Sequence, residues 1–264
     1  MLDNIGDKHC LALLFICNFI LWATLGIEHS GLILTFNNLN LAEVFGIFTI
    51  TLSLTRLGPE DFFSRRDYLF LSAAALLILY PRDPSVFLSL TLVGLLLRGR
   101  PNKDLASIGE LSLGLAWVLF WGKLVFQFIQ PWLLPIEAWI GFLPLSFFGS
   151  FTLSGNAIHP PDGHGGVIIG PPCSAFNNTI KTAFIWLCLI KLFDLPFRIW
   201  QIYGLMVSLV IVVALNTVRL ALMAYSERGY SFWHNGAGAP IIAYSMLTLV
   251  LLTFYLFQSK SKST

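Results

Sequence analysis

The stretch IWQIYGLMVSLVIVVALNTVRLALMAY, residues 199–225, decides what kind of protein this is. Its residues pass with one charge among them, Arg219, and are dominated by Val, Leu and Ile. An apolar run of about 17–25 residues is what a helix needs to cross a bilayer. The spacing therefore predicts a transmembrane helix that carries one buried cation.

The rest of the chain agrees. Of its 264 residues, 56% are hydrophobic and only 11% are charged, and the mean hydropathy is +0.76. Soluble domains carry about a quarter charged residues. The chain reads as a single integral membrane domain, 1–264, without a separate soluble part, an internal repeat or a low-complexity tail. A net charge of +2 is too small to suggest nucleic acid as a partner and leaves the lipid bilayer as the first one. The first apolar segment follows a weakly basic start and shows no small-residue cleavage site, so it is read as a retained helix.

Further runs of spanning length lie at 11–27, 39–57, 107–129, 177–195 and 239–257. Two more, 68–80 and 85–97, flank PRDP and are short for a span, so they either extend through their flanks or form a partial hairpin. Counting both predicts an all-α, polytopic bundle of about eight transmembrane helices. Lys8, Arg56, Arg65, Arg66, Arg98, Arg100, Lys103, Lys191, Arg198, Lys260 and Lys262 then fall on one side. Only Arg82, Lys123, Lys181, Arg219 and Arg228 fall toward the other. The positive-inside bias puts both termini in the cytoplasm and the chain in the cell inner or plasma membrane. An outer loop is expected at 130–176, and a short one at 226–238.

Three reactive residue types converge on that outer face. Cys10, Cys17 and Cys188 read as small buried hydrophobes. Cys173 differs: it follows Pro171 and Pro172, opens a helix and has no second outer cysteine to pair with. A helix dipole and a nearby cation would lower its pKa toward thiolate. Arg219 costs about 2.5–3.5 kcal/mol at a bilayer centre. It either snorkels to the surface or shares a polar face with Asn216, three residues earlier. His234, in FWHNGAGAP, is either an interfacial ring beside Phe232 and Trp233 or a proton carrier. Gly236 and Gly238 permit close approach of backbone or substrate. The cluster HPPDGHGG places His159, Asp162 and His164 together, but its spacing matches no recognised ligand set and a Pro/Asp/Gly turn explains it. No metal and no organic cofactor is expected.

CSA at 173–175, NTVR at 216–219 and HNGAG at 234–238, in that order over the last three helices, resemble the exosortase/archaeosortase family. By motif the resemblance covers those helices, and by hydropathy and length the whole chain. It implies a membrane thiol protease and transpeptidase of protein sorting at the cell envelope, with catalytic motifs in 173–238. Cys173 would be the nucleophile, Arg219 the cation and His234 the proton-transfer residue. Asn216 would position the arginine, with Ser174, Gly236 and Gly238 at the substrate. Partners would be exported proteins with a C-terminal sorting signal: a short motif, one transmembrane helix and a basic tail. Ala175 stands where the family commonly has glycine, which implies an altered substrate fit rather than lost chemistry. Two other readings stand beside it. One is a transporter binding an anion through Arg219 and Asn216, and the other a scaffold indifferent to Cys173→Ala. Of the embedded acids, Glu110 is expected to begin a helix and Glu43 to pair with an active-site cation.

Overall fold

The structure is a computed structural model and describes residues 6–30, 41–58, 63–79, 83–161 and 166–262. It is mostly helical. The helices are α1 (Asp7–Ser30), α2 (Leu41–Arg56), α3 (Arg65–Ile78), α4 (Asp83–Arg98), α5 (Lys103–Ala116) and α6 (Gly122–Leu145), the last two joined by a π-helical turn, Trp117–Trp121. After them come three short strands, β1 (Thr152–Ser154), β2 (Ala157–His159) and β3 (Val167–Ile168), and a 3₁₀ turn, Pro171–Cys173. Then follow α7 (Ala175–Leu192), α8 (Ile199–Tyr225), α9 (Glu227–His234) and α10 (Gly238–Lys262).

Among the described residues, three helical runs are long and apolar enough to cross a membrane: Lys103–Leu145, Ile199–Tyr225 and Gly238–Gln258. Leu69 of α3, Val210 of α8 and Tyr255 of α10 are 71%, 69% and 68% exposed. Apolar faces left so bare suit lipid, not water. This is a membrane protein. The two short runs form α3 and α4, which at 14 and 16 residues remain short for a full crossing.

Two stretches expected as loops are helical. Residues 130–145 continue α6, with Pro131, Pro135 and Pro144 inside it. Each proline removes one backbone donor, a loss that apolar spanning helices tolerate. Between them Leu133, Leu134, Ile136 and Ala138 keep the segment apolar, and that continuity outweighs the breakers. Residues 227–234 form α9, started by Ser226, whose Oγ accepts from Gly229 N at 3.0 Å.

The chain groups into two compact units. The first holds the described residues up to Trp121 together with Leu187–Leu195. In it α4 packs on α3 and α5, and α2 on α5. At Gly109 a Cβ would lie 2.4 Å from Arg98 N and 2.9 Å from Gly94 O, so only glycine permits this α4–α5 approach. Ion pairs join Arg100 to Asp67, Arg56 to Asp194 at 3.0 Å and Lys191 to Glu110 at 2.6 Å. Glu110 thus lies within α5, not at its start, and serves as a partner for Lys191. Glu43 is buried in the first turn of α2.

The second unit holds Gly122–Trp186 and the described residues from Pro196 on. Here α8 packs against α6, α9 and α10, while β1 and β2 lie on α6. The strands form an antiparallel sheet in the order β1-β2-β3, with Thr152 opposite His159 and Ile158 opposite Val167. This sheet is the departure from an all-helical chain. Its inward side chains Ile158 and Val167 join Ala138, Leu220 and Met223 in one apolar cluster. Ile169 is pinned on both sides: its N–H donates to Asn156 O at 2.8 Å, and its carbonyl accepts Asn156 Nδ2 at 2.9 Å. The sheet therefore delivers the chain at a set height to the turn that carries Cys173.

Candidate active site

Pro171 and Pro172 preset the backbone for a tight turn, which Cys173 N closes on Gly170 O at 2.9 Å. Ser174 then leaves the turn extended and caps α7, its Oγ accepting from Phe176 N at 3.1 Å. The same hydroxyl donates to Glu137 Oε1 of α6 at 2.8 Å, and Ala175 N donates to that oxygen at 3.1 Å. On the other side Asn216 Nδ2 of α8 donates to the Cys173 carbonyl at 2.9 Å. Three elements hold one turn. Cys173 itself is only 4% exposed, among Leu220, Met223 and Ala138.

Arg219 stands one turn further along α8. Its Nε donates to the Trp233 carbonyl at 3.0 Å, and its Nη groups carry no hydrogen bond to any described residue. A guanidinium fixed at one end and open at the other is ready for an anion. His234, the last residue of α9, stacks on Tyr230 at 4.8 Å and 12°. Its buried Nδ1 has no partner among the described residues, and neither has Asn216 Oδ1. No hydrogen bond joins His234 to Cys173 in this resting geometry. What unites them is the backbone: the carbonyl that anchors Arg219 belongs to the residue before His234.

Asn216 was expected to position the arginine. Its hydrogen bond instead goes to the Cys173 carbonyl, and the Trp233 carbonyl holds Arg219. Arg219 is held at its Nε by a backbone acceptor within the protein. Gly236 and Gly238 do allow close approach, but of the chain's own aromatic residues. A Cβ on Gly236 would meet Phe232 O at 2.8 Å, and one on Gly238 would meet the Trp233 ring at 2.5 Å. Gly238→Ala should therefore push Trp233 away and disturb the carbonyl that anchors Arg219. Overpacking of this kind costs about 1–3 kcal/mol. A lowered unfolding temperature in detergent is the expected result, and a wild-type value would refute the clash.

The thiol departs from the sequence expectation. Burial, the largest influence, pushes the Cys173 pKa up; the Arg219 charge and a bond from Gly170 pull it down, and the Glu137 charge adds to the rise. The balance is above the ordinary thiol range, because desolvation of a thiolate outweighs one partly screened cation. A raised pKa means the neutral thiol persists at neutral pH and ionises only above the ordinary thiol range. Alkylation of Cys173 should therefore be slow at neutrality and accelerate in alkali. In Arg219→Gln its midpoint should move higher still, since the lowering influence is gone. The pH profile of labelling at the Cys173 peptide checks both, and a wild-type midpoint below that of an unperturbed thiol would contradict them.

Glu137 was not singled out by the sequence reading. The available signal was its isolation: it is the one acid between Leu111 and Pro161. His159 lies exposed on β2, while Asp162 and His164 fall outside the described residues. Among the described residues no group of three or more His, Cys, Asp or Glu could hold a metal. Comparison with protein-family models, curated proteins and solved structures finds no match for this chain.

Proposed function

We propose that this protein is a multi-pass membrane cysteine peptidase and transpeptidase, exosortase-like, that cleaves the C-terminal sorting signal of exported proteins. In this reading about eight helices cross the inner or plasma membrane with both termini in the cytoplasm, and Cys173, Arg219 and His234 face outward. The observation that carries it is the Asn216–Cys173 bond. It brings the NTVR segment against the thiol-bearing turn over 43 residues of sequence, with the Arg219 charge within reach of the sulfur. An amide bonded to the thiol-bearing turn, a guanidinium whose charge acts on the thiol, and an imidazole next in sequence to the carbonyl that anchors that guanidinium suit acyl transfer.

The chemistry follows from the parts. Cys173 Sγ attacks the carbonyl carbon ahead of the tail as its proton passes to His234, which needs an incoming substrate to bring the two into register. The carbonyl oxygen gains negative charge and is met by the open Nη groups of Arg219. Collapse forms the thioester and breaks the C–N bond, and the imidazolium gives its proton to the departing amine. Water or an amine from outside then attacks the thioester, loses its proton to His234 and expels the Cys173 sulfur. The substrate's own helix would set the cleavage motif at the outer membrane surface, and its basic tail would stay inside.

The test is co-expression with an exported protein that carries a short motif, an apolar helix and a basic tail. Loss of the tail, with a hydroxylamine-sensitive adduct on Cys173, is the expected result. Tail loss unchanged in Cys173→Ala would sink the reading.

A further inference from the structure

We propose that Glu137 is a positioning residue for the nucleophile: reaching from α6, its carboxylate clamps the Cys173 turn to the start of α7 and fills the donors there. The proposal deepens the peptidase reading and rests on it for its functional consequence. The first N–H groups of an α-helix have no partner within the helix. Beside a nucleophile such groups commonly receive the developing oxyanion. Here those of Ala175 and Phe176 are already taken. Glu137 Oε1 accepts from Ser174 Oγ at 2.8 Å and from Ala175 N at 3.1 Å, Oε2 accepts from Ala175 N at 3.3 Å, and Ser174 Oγ takes Phe176 N. Ser174 and Ala175 are 2% and 4% exposed, so a substrate oxygen has no open route to these donors.

Donors without a hydrogen bond to any described residue are the Nη groups of Arg219, whose charge acts on the thiol. The site therefore divides its labour. Glu137 braces the turn from α6, Asn216 from α8, and the oxyanion is left to Arg219. The charged groups that act on the thiol are Arg219 from α8 and Glu137 from α6, with opposite effects. Of the other titratable groups of the site, His234 of α9 makes no hydrogen bond to it. A carboxylate so placed holds the turn and opposes thiolate formation at rest.

The experiment uses the full chain in detergent, wild type against Glu137→Gln and Glu137→Ala. Iodoacetamide labelling of the Cys173 peptide is followed from pH 6.5 to 10, with amide exchange of the segment 171–178. Glu137→Gln keeps an acceptor for Ser174 and Ala175 but removes the charge. It should label about 3- to 10-fold faster at neutral pH, with its profile moved to lower pH. Glu137→Ala removes the clamp, and exchange at Ala175 should rise at least about tenfold. Labelling at the wild-type rate in Glu137→Gln, or unchanged exchange in Glu137→Ala, overturns the proposal. Both readouts need no substrate. Failure of the wild type to process any tail therefore counts against the peptidase reading alone.

Discussion

Cys173→Ser should abolish tail cleavage as completely as Cys173→Ala, by at least about 10⁴-fold. The reason is the absence of a prepared base. A serine nucleophile works when an imidazole already holds its hydroxyl, as a hydrogen-bonded pair. Here no hydrogen bond links His234 to residue 173, which is buried in an apolar cluster that includes Leu220, Met223 and Ala138. A thiol starts within a few pH units of ionisation, whereas a hydroxyl in the same desolvated place does not. Neither substitution alters the backbone brace of the turn, because Asn216 holds the carbonyl of residue 173 and not its side chain. Both variants should therefore fold, with unfolding temperatures near wild type. Cleavage at the wild-type rate in both variants would show that the attacking group is not the sulfur.

Arg219→Gln should lower kcat by about 10²–10³ and leave KM nearly unchanged. The Nη groups make no hydrogen bond in the resting site, so their partner is expected only as charge develops on the carbonyl oxygen. Arg219→Lys should restore only part of the rate. It keeps the charge but loses both the fork and the Nε bond to Trp233 O that aims it. Steady-state kinetics on a cleavable tail separate the possibilities. A rise in KM with kcat preserved would assign Arg219 to binding an anionic part of the substrate, the property on which a transporter reading depends.

Several features were legible without coordinates because they depend on neighbours along the chain. Among the described residues the apolar runs read from the sequence fall largely on helices, since the burial demand of a long Leu/Val/Ile stretch is a local property. Arg219 within α8, and the lone thiol after two prolines, stand out for the same reason. The segment 130–145 was misread because prolines are local signals for breaking a helix, whereas their tolerance depends on what surrounds the backbone.

Long-range partners were not legible. Asn216 could be assigned to a polar face, but its bond to the Cys173 carbonyl crosses 43 residues, and main-chain acceptors such as Trp233 O leave no mark in a sequence. Glu137 was invisible as a site residue because its meaning lies in the Ser174 and Ala175 donors it meets, 37 and 38 residues away. The charge state of the thiol depended on the contest between desolvation and the Arg219 cation, which needs the depth of burial and not only the residue types. By itself the sequence determined a membrane chain of apolar helices, with a thiol, a guanidinium and an imidazole marked out along it. Only the tertiary structure decided which backbone and carboxylate groups hold that thiol, and that burial keeps it neutral at rest. Hydrophobic length is encoded locally, whereas hydrogen-bond partners and desolvation arise only when distant segments meet.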